Sequence, residues 1–135
     1  MDTTDSKILV ADDDRIVRRI VVAKLSGLGY DVTEVADGQE ALRLLEGGYV
    51  PDLLITDSLM PRTNGLELVR GIRSSPDSDV STLPVIMLTS RQHEHDIIEG
   101  LETGLDDYVT KPFSPDELAA RVRTVLWRVR RDRAG

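Results

Sequence analysis

The sequence predicts one α/β domain in which a parallel sheet carries helices on both faces. Three observations predict it. Apolar runs rich in β-branched residues alternate with amphipathic stretches, strand then helix, five times over. The main runs are continuous rather than alternating, as in strands covered on both sides. And 135 residues with 40% hydrophobic side chains are enough for one domain with a normal core. Strand–helix alternation of this kind closes into parallel pairs through right-handed crossovers. Aromatics are only 4%, so Val, Ile and Leu must fill the core.

Each element has its own signal. Ile8-Leu9-Val10-Ala11 is the first strand. Asp13 or Asp14 caps the helix from Arg15 to Leu28, whose Val17, Val21, Leu25 and Leu28 share a face; Gly27 and Gly29 mark its end. Asp31 to Val35 alternates, as an edge strand does. Gln39 to Glu46 is the second helix, with Ala41, Leu42 and Leu45. Leu53-Leu54-Ile55-Thr56 is the third strand, and Gly65 to Arg73 the next helix, with Leu66, Val69 and Ile72 inward. Val85-Ile86-Met87-Leu88 precedes a helix from Glu94 to Thr103, stopped by a left-handed Gly104. Tyr108-Val109-Thr110 is the last strand. Ser114-Pro115-Asp116-Glu117 opens the last helix with a cap, a first-turn proline and acids, and Leu118, Val122, Val125, Leu126 and Val129 follow. Residues 1–6 are expected to fray, 7–129 to form the domain, and 130–135 to be a basic tail or the start of a linker.

Composition excludes several functions. Acids outnumber bases 24 to 17, a net charge of −7, which disfavours nucleic-acid binding by this chain. There is no cysteine, hence no disulfide, thiol catalysis or Cys-ligated zinc. No apolar run approaches the roughly 20 residues of a membrane span. Met1 to Lys7 is too polar and acidic for a signal peptide, so a cytoplasmic location is expected. The charge is uneven: residues 1–120 balance to −12, whereas residues 121–135 hold six arginines against Asp132, a balance of +5. Those arginines either complement the helix dipole, lead into a linker, or meet an anionic partner. Trp127 lies about 140° round the helix from Val122, off the core stripe. It either forms a contact surface or packs under its own helix.

Ligands of open α/β sheets bind at the carboxyl ends of the strands. The first strand ends in Asp12, Asp13 and Asp14, the third in Asp57, the fourth in Thr89 and Ser90, and the fifth in Lys111-Pro112. Taken alone, Asp12 to Asp14 would pass for a helix cap, and Lys111 for a surface lysine. Converging, three carboxylates and one lysine leave two negative charges, which calls for a counter-ion. Oxygen donors without His or Cys suit a hard divalent ion, Mg²⁺. A carboxylate beside a metal, a lysine and a hydroxyl can accept a phosphoryl group. His93-Glu94-His95-Asp96 reads instead as a solvated helix start, because histidines two apart point to different sides of a helix.

These residues resemble the receiver domain of two-component response regulators. The matching segments are Ile8 to Asp14, Asp57-Ser58-Leu59-Met60-Pro61 with Gly65, Pro84 to Ser90, and Tyr108 to Phe113, in the family's order and spacing over about Lys7 to Val129. The resemblance implies a doubly wound, flavodoxin-like (βα)5 sheet of order 2-1-3-4-5. It implies that Asp57 is phosphorylated by a sensor histidine kinase or phosphotransfer protein. Asp13 and Asp57 would ligate Mg²⁺ directly, Asp12 through water, and Leu59 through its carbonyl. Lys111 would pair with Asp57 and then with the phosphoryl group, ahead of a cis Pro112. Thr89 and Tyr108 would form the switch pair. The last two helices and the strand between them would address an output domain or protein partner. The domain would be no conventional enzyme, catalysing only its own phosphorylation and dephosphorylation. The stretches Gly100 to Tyr108 and Glu117 to Arg121 look closest to receivers of winged-helix transcription factors or of cyclic-di-GMP enzymes. In the former, residues matching Asp107, Glu117 and Arg121 pair across a homodimer; Ile97 stands where Glu117's basic partner usually lies. Leu59 and Arg91 flank the place where the family tunes phosphoryl lifetime, and an apolar Leu59 predicts slow self-dephosphorylation.

Two enzymatic or carrier readings on similar sheets are disfavoured. Phosphatases that use an aspartyl phosphate need a second aspartate two residues on, where this chain has Leu59. A flavin carrier needs a phosphate loop where this chain has three aspartates. The remaining alternative is a pseudo-receiver that signals by protein contact without phosphorylation.

Overall fold

The computed structural model describes residues 5–90 and 94–134, without the side chains of 94, 96, 97, 133 and 134. Five strands form one parallel sheet: β1 Lys7–Ala11, β2 Asp31–Val35, β3 Leu53–Asp57, β4 Val85–Ser90 and β5 Asp107–Lys111. Their spatial order is β2-β1-β3-β4-β5, so the doubly wound five-stranded reading holds. The helices are α1 Arg15–Gly27, α2 Gly38–Glu46, α3 Gly65–Arg73, α4 Ser78–Ser81, α5 Glu94–Thr103 and α6 Pro115–Ala134. Among the described residues no helix is long and apolar enough to cross a membrane.

The sheet divides the core in two. On one face Ile8, Val10, Ile55, Ile86 and Leu88 pack with Val21 and Leu25 of α1 and with Leu118, Val122, Val125 and Leu126 of α6. On the other, Leu9, Leu54, Val85 and Met87 meet Ala41 and Leu45 of α2 and Leu68, Val69 and Ile72 of α3. Strand residues thus alternate between two buried faces, which is why their runs are apolar throughout.

Caps follow the residues expected, with refinements. Asp14, of the two candidates, caps α1 by accepting from Ile16 and Val17 N–H. Leu28 closes α1 as its C-cap, and Gly29 supplies the left-handed residue at φ 100°. Ser114 Oγ accepts from Glu117 N–H at the start of α6. Gly104 is left-handed, at φ 124°. Arg73 fastens this end of the molecule: its guanidinium donates to the carbonyls of Ser81, Leu83 and Gly104. The one-turn α4 had no sequence signal. The last helix continues through the stretch set apart as a basic tail, as far as Ala134. Arg130 donates there to Asp5 and Ser6, and Arg131 stacks over the half-exposed Trp127 ring at 4.7 Å.

Candidate functional site

Strand register builds the site. Ala11 stands opposite Thr56, so the next residues, Asp12 and Asp57, emerge side by side at the carboxyl edge. Asp57 faces Leu88 on β4, and the following residue, Thr89, faces Thr110 on β5. Ser90 faces Lys111, which brings the lysine to the same edge. Gly65, at the start of α3, passes so close beneath that a Cβ there would lie 2.2 Å from the Asp57 carbonyl oxygen.

The charges converge as the spacing predicts. Carboxylate oxygens of Asp12, Asp13 and Asp57 all lie within 4.8 Å of one another, with Asp13 exposed and the other two buried. Lys111 Nζ stands 3.1 Å from Asp57 Oδ1 and 3.6 Å from Asp12 Oδ2. Asp12 Oδ1 accepts from Asp14 N–H at 2.8 Å, but its buried Oδ2 has no hydrogen-bond partner among the described residues. Burial, reinforced by the charge of Asp57, pushes the Asp12 carboxyl up to about 6 against the opposing pull of Asp14 N–H and Lys111. An orphaned buried oxygen, oxygen donors only and surplus negative charge are what a hard divalent cation would satisfy. The residues present therefore fit Mg²⁺.

The remaining expected residues are placed as follows. Thr89 is fully buried, its hydroxyl donating weakly to the Ser90 carbonyl at 3.4 Å. Tyr108 faces Met87 in the register and packs, half-buried, against the α2/α3 side of the core, the side Thr89 shares. The Lys111–Pro112 peptide is cis. Leu59, two residues after Asp57, is half-exposed. Arg121 reaches both oxygens of Asp107 at 3.0 and 3.1 Å and Glu117 at 3.4 Å, so the groups expected to pair across a dimer pair within one chain. Arg91 and His93 lie outside the described residues, as do the side chains of Glu94, Asp96 and Ile97.

Two contributors carried no sequence signal. Arg18 donates to the Asp12 carbonyl at 2.8 Å and to Glu34 at 3.0 Å, bracing the loop after β1. Arg62, in the loop after β3, pairs with Asp37 in the loop after β2. These contacts join residues far apart in sequence through loop shape, which periodicity does not report.

Fold and edge together define a receiver-type α/β domain. Residues 8–123 match the family model described as the response regulator receiver domain, and the chain belongs to that family. It is 46% identical over 123 residues to a protein named "Probable transcriptional regulator ycf27" of Porphyridium aerugineum, covering 91% of this chain and 49% of that protein. It is 41% identical over 128 residues to the DNA-binding response regulator MtrA of Mycolicibacterium smegmatis, covering 95% and 54%. The chain thus spans about half the length of the curated relatives it matches. Among solved structures, the receiver domain of the sensor histidine kinase PA1611 of Pseudomonas aeruginosa superposes with a TM-score of 0.81 at 31% identity, over 90% of this chain and 98% of that one. That structure has a magnesium ion coordinated in its active-site cleft.

Proposed function

We propose that this receiver accepts a phosphoryl group on Asp57 from a phosphohistidine of a sensor histidine kinase or phosphotransfer protein, in the cytoplasm, and relays the change to an output partner. The observation that carries this reading is the Asp57–Lys111 contact at 3.1 Å beside two further carboxylates. A carboxylate oxygen of Asp57 attacks phosphorus, the P–N bond breaks, and the departing imidazole takes its proton from solvent. Asp13, Asp57 and the Leu59 carbonyl would hold Mg²⁺ directly and Asp12 through water. The bound ion would supply positive charge where phosphoryl oxygens gather it. Lys111 leaves Asp57 to pair with those oxygens, and Thr89 turns its hydroxyl toward them. Tyr108 moves inward behind Thr89, and the α5–β5–α6 face reads out the change to an output domain or a second copy. The chain would process no other substrate.

The test is intact mass spectrometry after incubation with a small acyl phosphate. A gain of one phosphoryl mass that needs Mg²⁺ and is lost in Asp57→Asn is the expected result. A folded chain that gains nothing under any condition would instead be a pseudo-receiver.

A further inference from the structure

One residue of the β3–α3 loop holds a backbone conformation that a residue with a Cβ disfavours. Arg62 is the one non-glycine residue of positive φ among the described residues, at 67°. Thr63 N–H donates to the Pro61 carbonyl at 2.8 Å, which makes Arg62 the centre of a three-residue turn of the rare, strained hand. Such a turn persists only where surrounding contacts hold it. Here the contact is specific. Arg62 Nη2 donates to Asp37 Oδ2, while Asp37 Oδ1 caps α2 by accepting from Glu40 N–H at 2.9 Å. The arginine side chain is 64% exposed and the aspartate 1%, so burial does not impose the pairing on Arg62, yet losing it takes away the side-chain partner of a buried carboxylate.

The two loops also touch directly. A Cβ on Gly38 would lie 2.4 Å from the Thr63 carbonyl oxygen. At its other end the loop is closed by Gly65 N–H donating to the Ser58 carbonyl at 3.0 Å, directly under Asp57. Leu59 sits between these two fixings. We propose that the Arg62–Asp37 pair is a positioning latch that holds the strained tip of the β3–α3 loop and thereby sets how firmly the Leu59 carbonyl, with Asp12, Asp13 and Asp57, binds a divalent cation. The latch rests on the metal reading given above. Arg62 itself touches neither the ion nor the phosphoryl group; it acts through the loop.

The test is calorimetric titration of the full chain with MgCl₂, without any phosphodonor, alongside urea unfolding. Arg62→Ala, which removes the pair and keeps a Cβ in the strained turn, should raise the Mg²⁺ Kd about tenfold, the low end of what loss of a direct outer partner costs, because Arg62 reaches the ligand only through the loop. Arg62→Lys, which restores a cation within reach, should return it to within about twofold of wild type, and Arg62→Gly, which relieves the turn without the pair, should fall between. A merely structural Arg62 would shift the urea midpoint and leave the Kd unchanged, and that result overturns the latch. Failure of the wild type itself to bind Mg²⁺ would overturn the metal reading, and the latch with it.

Discussion

Asp12 is buried, one of its oxygens has no hydrogen-bond partner among the described residues, and its carboxyl is pushed up to about 6. The folded chain therefore holds a proton there that the unfolded chain releases between about pH 4 and pH 6. Stability from this group falls as pH rises through that window and stays lost above it. The shift corresponds to about 2–3 kcal/mol at neutral pH. Asp12→Asn should accordingly stabilise the metal-free chain by about 2 kcal/mol at pH 7.5 and much less at pH 4.5. The same substitution should weaken Mg²⁺ binding. Urea unfolding at both pH values in EDTA checks the first; a variant no more stable than wild type at pH 7.5 contradicts it. At this scale Asp12, Asp13, Asp57, Thr89 and Lys111 were legible because strand ends point to one edge whatever the loop details. Arg18 and Arg62 were not, because each finds its partner through the shape of a loop.

Elements carry the site into place through close backbone approach. Gly65 begins α3 where a Cβ would lie 2.2 Å from the Asp57 carbonyl oxygen and 3.1 Å from Ser58 Cα, both backbone atoms that cannot swing away. Gly65→Ala should cost about 1–3 kcal/mol and displace the chain at Asp57, slowing phosphorylation beyond what lost stability explains. Thermal unfolding with a phosphorylation time course at a temperature where both chains are folded separates the two effects. The strand–helix alternation was legible because the sheet is covered on both sides, which keeps the middles of β1, β3 and β4 continuously apolar. Two features escaped it. The one-turn α4 offers only Val80 to the core, too little for a periodicity. The end of α6 follows contacts of Arg130 with the N-terminal segment rather than an apolar stripe.

At the scale of the whole molecule, the α5–β5–α6 face proposed for readout carries an arginine, Arg121, whose ion pairs are already made within the chain. Arg121 is paired with Asp107 and Glu117 of its own chain, so exchanging them across a two-fold axis would add no net pair. Association through this face must draw instead on apolar burial, for which α5 offers Ile98 and Leu101, each 50% exposed. The phosphorylated chain should sediment as a dimer, and Leu101→Asp should weaken that dimer by more than about tenfold while leaving phosphorylation intact. Equal sedimentation of both chains would contradict it. The family could be read from the sequence because its motifs occupy every strand end but that of the edge strand β2; the partner could not, since surface pairing depends on how neighbouring side chains are already engaged.

The proposed function turns on one bond, an acyl phosphate formed at Asp57. The direct measurement is borohydride reduction of the chain after incubation with an acyl phosphate and Mg²⁺, followed by peptide mass spectrometry. Reduction converts a phosphorylated aspartate to homoserine and leaves free carboxylates alone. Homoserine at position 57, dependent on Mg²⁺, is the predicted result. Homoserine at another aspartate, or none in a folded chain, would contradict the account.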